Sequence, residues 1–258
     1  MTDTGASADV RRRLGLALDL HDLSSALELA KLLAPWFGVA KVGPELFISA
    51  GPRAVRDLAG EGFEVFLDLK LHDIPTTVGR GAEQAGRLGA TYLTVHAAGG
   101  PAMVQAAVDG FAHGRDVSTR AAGAPVSASS AGGPVPTSGR SGVLGVTVLT
   151  SEADAPADTL RARAEVAAAT GCAGVVCAAG DVAVVRRAVP DLLVVVPGIR
   201  LRGTSADDQE RPATPEAATR AGAGLLVVGR TVTGAEDPVA AARRVAGEVE
   251  LALATASG

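Results

Sequence analysis

Eight short apolar runs, separated by segments of helical spacing, limit what this chain can fold into more than any other feature. The runs are LGLALDL (14–20), GVAKVG (38–43), FEVFLDL (63–69), ATYLTVH (90–96), VLGVTVL (143–149), CAGVVC (172–177), LLVVVPG (192–198) and GLLVVG (224–229). Ala/Leu/Arg-rich stretches such as SSALELAKLLA, TVGRGAEQAGRLG and PVAAARRVAGEVELALA lie between them. Strict strand–helix alternation predicts a parallel sheet. Eight such units in about 250 residues match the count and size of a (β/α)8 TIM barrel. The competing arrangement is a doubly wound open sheet. Its dinucleotide-binding form would need a glycine-rich first strand–helix turn, and LDLHDLS has none.

The 258 residues, 47% hydrophobic and 20% charged, can bury one full core, so a single α/β domain is expected. The barrel is predicted over 14–254, after a polar leader at 1–13. The interval between the fourth and fifth runs is about twice the others. Its excess, about 115–141, is mostly Ser, Ala, Gly, Pro and Thr, which cannot offset ordering entropy and predicts a flexible insert. A net charge of −4 argues against a nucleic-acid surface. Cys172 and Cys177 lack His or Cys neighbours at metal-ligand spacing and read as reduced thiols. MTDTGASADVRRR is charged but has no signal-peptide h-region after it, and no run reaches membrane-spanning length. A soluble, cytoplasmic protein with no membrane contact is expected.

The chemistry collects where a barrel would keep it. Asp68 and Lys70 fall two apart at the end of the third run, on one face of a strand, and Asp73 follows in the loop. Pro75 then suits the first turn of a helix. A surface ion pair capping a strand is the alternative for this segment alone. Lysine usage sharpens the reading: of 24 Lys plus Arg, only Lys31, Lys41 and Lys70 are lysines, and only a lysine can be tuned to give up a proton. Polar residues also end the other runs: Asp19, Lys41, His96, Thr150, Arg200 and Arg230. The loops after runs seven and eight, PGIR and VGR, pair Gly198 and Gly229 with arginines able to fork a phosphate. Gln209 in the seventh loop could hydrogen-bond a ligand. These residues point to a barrel enzyme with an anionic phosphorylated substrate and a Lys/Asp network for proton transfer, without naming the substrate.

DLKLHDIPTT (68–77) closely resembles the DLKxHDIPNT signature of the orotidine 5′-phosphate decarboxylase family. The resemblance continues through ALD (17–19), AKVGPELF (40–47), VHAAGG (95–100), VTVLTS (146–151), PGIR (197–200), DDQ (207–209), ATPEAA (213–218) and VVGR (227–230). It implies a bacterial-type, cofactor-free and metal-free decarboxylation of orotidine 5′-phosphate (OMP) to UMP and CO2. Lys70 would protonate the pyrimidine C6, and Asp68 would lie against the substrate carboxylate. Lys41 and Asp73 would complete the charge network. A homodimer is implied, with Asp73 contributed to the neighbouring subunit's site. Asp19 and Lys41 would hold ribose hydroxyls, and Thr150 the pyrimidine. Arg200, Gln209, Gly229 and Arg230 would grip the phosphate side, with Ile74 and Thr77 as further substrate contacts. Thr76 departs from the usual Asn of the signature, and both residues can cap or hydrogen-bond locally.

Two rivals stand beside this reading. Related barrels act on sugar-phosphate keto acids, or as aldolases, through Mg²⁺ and an Asp-x-Lys-x-x-Asp pattern; HDIP and LTS favour the pyrimidine enzyme. The other rival is a barrel that binds a nucleotide without turnover, against which Lys41, Asp68, Lys70 and Asp73 argue. His72 reads as a structural hydrogen-bonding residue, and His96 as a residue that either lines the rim or orients a neighbour. The start of the seventh loop, 203–208, is a candidate lid.

Overall fold

The computed structural model describes residues 5–121, 141–152, 155–202 and 213–256. Strands and helices alternate as the apolar runs require. In chain order they are α1 (Ala8–Arg12), β1 (Leu14–Ala17), α2 (Leu23–Leu33), β2 (Val39–Val42), α3 (Pro44–Ala50), α4 (Pro52–Gly60), β3 (Glu64–Leu71), α5 (Pro75–Arg87), β4 (Tyr92–His96) and α6 (Gly100–Ala121). Then follow β5 (Gly142–Val146), α7 (Ala157–Ala169), β6 (Gly174–Val176), α8 (Val182–Ala188), β7 (Leu193–Val196), α9 (Pro215–Arg220), β8 (Leu225–Val228), α10 (Arg230–Thr233) and α11 (Pro238–Ala256). The eight strands are parallel and close on themselves in sequence order, β8 pairing with β1. Closure excludes the open-sheet alternative. Apart from β3, which continues to Leu71 past its run, the strands are shorter than the apolar runs because their flanking residues turn into the loops.

Burial on both faces explains the near-continuous apolar strands. Even so, period two persists inside them. Val39, Phe66, Tyr92, Val146, Val195 and Val227 belong to an inner core within the barrel. Ala40, Val42, Val65, Leu67, Leu93, Val194, Leu226 and Val228 pack outward against the helices. A polar residue one period beyond an inner-core residue therefore stands on the inner face, above the apolar floor.

Local signals set the helix ends. Asp22 caps α2 by accepting from the Ser25 amide at 2.9 Å, and Asp237 caps α11 by accepting from the Ala240 amide at 2.9 Å. Pro75 occupies the first turn of α5, where its missing N–H costs nothing. The expected polar leader is helical at α1, with Val10 buried. The Arg11 carbonyl accepts from the Gly38 amide and the Arg13 carbonyl from the Leu226 amide, both at 2.8 Å, tying the leader to the N-terminal ends of the strands. The first residues of the insert expected at about 115–141 are helical, because α6 continues through Ala121; residues 122–140 lie outside the described residues. Cys172 and Cys177 are buried and form no disulfide, and burial pushes the Cys172 thiol up to about 11, so it stays protonated.

Candidate active site

A cavity of about 330 Å³ opens at the C-terminal ends of the strands. Its floor is apolar, from Phe66, Val146, Val176, Val195 and Val227. The wall over β1 to β3 carries Asp19, Lys41, Asp68 and Lys70, and the wall over β7 and β8 carries Gly198, Arg200, Gly229 and Arg230; Thr150 also lines the cavity. Nine of the residues expected from sequence thus meet in one cavity.

The charged wall is a chain of alternating sign. Lys41 Nζ donates to Asp19 Oδ1 at 2.8 Å and lies 3.8 Å from Asp68 Oδ2. Lys70 Nζ donates to both Asp68 oxygens, at 2.9 and 2.8 Å. Lys41 and Asp68 are both buried, whereas Asp19 is more than half exposed. Burial works to raise the Asp68 carboxyl, but Lys70, Lys41 and the hydrogen bonds from Lys70 and Thr94 outweigh it. The net effect holds Asp68 below its ordinary 3.8, ionised at neutral pH. Gly43 keeps this wall open: a Cβ there would lie 2.8 Å from Asp19 Oδ1 and 3.3 Å from Lys41 Nζ.

Asp68 and Lys70 share a side, as expected, but not through regular strand geometry. Leu67 pairs with Leu93 and Leu71 with Val95, so four residues of β3 advance against two of β4. Within this break Lys70 has φ of 49°, in the left-handed region where a residue with a Cβ is strained. The buried hydroxyl of Thr94 fills the gap, accepting from the Lys70 amide at 2.9 Å and donating to Asp68 Oδ1 at 2.8 Å. Sequence reasoning passed over Thr94, because a threonine inside YLTVH is ordinary for a strand.

On the wall over β7 and β8, Gly198 has φ of 76°, which turns the chain sharply after β7. Arg200 is buried; its amide donates to the Ala213 carbonyl at 2.9 Å, pinning the two ends of the seventh loop together. Gly229 precedes α10 with φ of −112° and ψ of −116°, outside the regular helical and extended regions, and Arg230 opens that helix. Gln209 and the candidate lid at 203–208 lie outside the described residues.

Asp73, Ile74 and Thr77 are not brought into this cavity. Asp73 Oδ1 accepts from the Ile74 amide at 2.6 Å, and among the described residues Asp73 makes no ion pair. Asp73 and Thr77 instead line a second groove with Leu69, Lys70 and His72, and the Ile74 side chain is largely exposed. His72 and His96 stack behind Lys70 with ring centroids 5.4 Å apart. Burial lowers the His96 pKa first, and His72, Lys70 and Arg163 lower it further against Glu152, so His96 is neutral at pH 7.

The closed parallel barrel and its charged C-terminal rim define a (β/α)8-barrel enzyme. The sequence model of the Orotidine 5'-phosphate decarboxylase / HUMPS family matches residues 12–245, and the chain belongs to that family. It is 44% identical over 245 residues to the orotidine 5'-phosphate decarboxylase of Anaeromyxobacter dehalogenans, covering 91% of this chain and 96% of the relative. It is 40% identical over 249 residues to that of Moorella thermoacetica, covering 92% and 91%. The crystal structure of orotidine 5'-phosphate decarboxylase from Lactobacillus acidophilus superposes with a TM-score of 0.70 at 34% identity, over 92% of this chain and 99% of that one.

Proposed function

We propose that this chain decarboxylates OMP to UMP and CO2 in pyrimidine nucleotide biosynthesis, without a cofactor or metal. The observation that carries the reading is the Asp19–Lys41–Asp68–Lys70 chain, with the Lys70 ammonium on Asp68 and in one cavity with Arg200 and Arg230. Family membership and the names of the relatives agree with it.

The chemistry follows from charge. When the C6–carboxylate bond breaks, its electron pair stays at C6, in an orbital the ring cannot delocalise well. An ammonium fixed beside that carbon stabilises the developing charge without reorganising during the step. Lys70 then gives one Nζ proton to C6, forming the C–H bond of UMP, and regains a proton from water. Asp68, ionised and next to the departing carboxylate, adds repulsion that release of CO2 relieves. Asp19 and Lys41 hold the ribose, Thr150 the base, and Arg200, Gln209, Gly229 and Arg230 the phosphate. Phosphate binding far from C6 supplies energy for ordering the site.

The reading includes a homodimer in which Asp73, Ile74 and Thr77 of one subunit reach the site of the other. Asp73 shares a groove with Lys70 yet points away from its own cavity, and exposed Ile74 beside it offers apolar area for a partner. A cytoplasmic location accords with two buried thiols that form no disulfide. Among the described residues no helix is long and apolar enough to cross a membrane.

The test is the ultraviolet absorbance of OMP mixed with the purified protein in EDTA. Substrate decay should persist in EDTA, and Lys70→Ala should slow it by at least about 100-fold. Decay that required Mg²⁺, or a protein active only on a sugar-phosphate keto acid, would refute the assignment. Tight OMP binding without turnover would mark a silent nucleotide-binding barrel.

A further inference from the structure

Thr94 is fully buried on the inner face of β4, one period above Tyr92 of the barrel floor. A hydroxyl has one proton to give and lone pairs to receive. Thr94 spends its proton on Asp68 Oδ1 at 2.8 Å and receives the Lys70 amide at 2.9 Å. That amide sits inside the register break between Leu67 and Leu71, in the one described non-glycine residue with positive φ. Strained backbone persists only where its surroundings over-determine it. Here the Thr94 oxygen supplies the acceptor that a regular ladder would have supplied.

Asp68 gains a direction from the same contact. Its Oδ1 meets the Thr94 hydroxyl and Lys70 Nζ, while its Oδ2 meets Lys70 Nζ and faces Lys41. The hydroxyl thus links the backbone of the lysine to the carboxylate that holds the end of its side chain. We propose that Thr94 is a positioning residue for the reaction, holding the Lys70 backbone in its left-handed conformation and the Asp68 carboxylate at a fixed rotation. The proposal rests on Lys70 and Asp68 having the roles assigned above. Thr94 itself lies beneath the charges and is absent from the cavity lining, so it acts through them.

Thr94→Val keeps the shape and removes both hydrogen bonds; Thr94→Ser keeps both. With OMP as substrate, Thr94→Val should lower kcat by about 10- to 100-fold, the scale of small misplacements at a reacting centre, and leave KM within about threefold. Thr94→Ser should recover most of kcat. Amide hydrogen exchange at Lys70 in the ligand-free protein should quicken at least about tenfold in Thr94→Val, and return in Thr94→Ser, because only the valine lacks an acceptor. Should Thr94→Val prove unfolded by circular dichroism, Thr94→Ala replaces it in both measurements. A hydroxyl-free variant with kcat within twofold of wild type, or a serine variant no better than valine, would overturn the proposal. Wild-type protein inert toward OMP would instead remove the functional reading. The Lys70 exchange comparison would then still decide whether Thr94 holds the lysine.

Discussion

Lys70 and its neighbours illustrate how much one residue's setting can carry. In the proposed reaction its ammonium needs a counter-charge to remain in place and freedom to release a proton, and Asp68 at 2.8 Å with nearby Lys41 provides a balanced surround. A charge on His96 behind it would disturb this balance, so His96 is required to stay neutral. His96 meets that requirement because burial, His72, Lys70 and Arg163 together outweigh Glu152 and hold its pKa below 6.5. The sign is definite. With the folded value lowered, the neutral form favours folding above pH 6.5, and this contribution is lost as pH falls below it. A proton–carbon NMR titration should therefore find His96 titrating below 6.5. In His72→Gln it should move back upward without reaching 6.5, since burial remains. A wild-type value at or above 6.5 would contradict this account of the rim.

At the scale of elements, helices α5 and α6 meet through glycine. A Cβ on Gly110 would collide with the Gly79 carbonyl, and one on Gly114 with the Glu83 carbonyl. Backbone cannot give way as a side-chain tip can. Gly110→Ala should therefore destabilise the protein by about 1–3 kcal/mol, despite the better helix propensity of alanine. Gly247 in α11 is exposed, with nothing within 4 Å of its would-be Cβ, and Gly247→Ala should stabilise by up to about 1 kcal/mol. Urea denaturation of the two variants reads both effects; equal shifts would show that close helix approach is not the cause. The elements themselves were legible because burial on both strand faces writes an apolar run such as LLVVVPG, and because Asp22 and Asp237 are strong caps. Asp19, Lys41, Asp68 and Lys70 were legible because a charge ending an apolar run has few other places to go. The register break at β3 was not. It depends on how many residues of β4 advance alongside, which no local pattern in DLKLHD encodes, so Thr94 and the strain at Lys70 emerge only in three dimensions.

The whole molecule divides its labour by layer. An outer apolar shell joins helices to strands, an inner one fills the barrel, and α1 ties down the N-terminal ends of β2 and β8. Stability is thus concentrated away from the charged rim. What the single chain does not assemble is a site containing Asp73, which turns toward the Ile74 amide and the outer groove. If a second subunit supplies it, each site needs Lys70 from one chain and Asp73 from the other, and symmetry makes the two sites equivalent. Lys70→Ala and Asp73→Asn homodimers should then both be nearly inactive. In a dimer of one chain of each kind, the Asp73→Asn subunit retains its lysine and receives an intact aspartate from its partner. Random exchange makes about half of all dimers mixed, each with one good site, so activity should return to about a quarter of wild type. The exchange is made by dilution and reconcentration, with the mixed species confirmed by native mass spectrometry. Activity that stays at the level of the two separate variants, with mixed dimers present, would place Asp73 outside the neighbouring site and leave the Asp19–Lys41–Asp68–Lys70 chain to act within a single subunit.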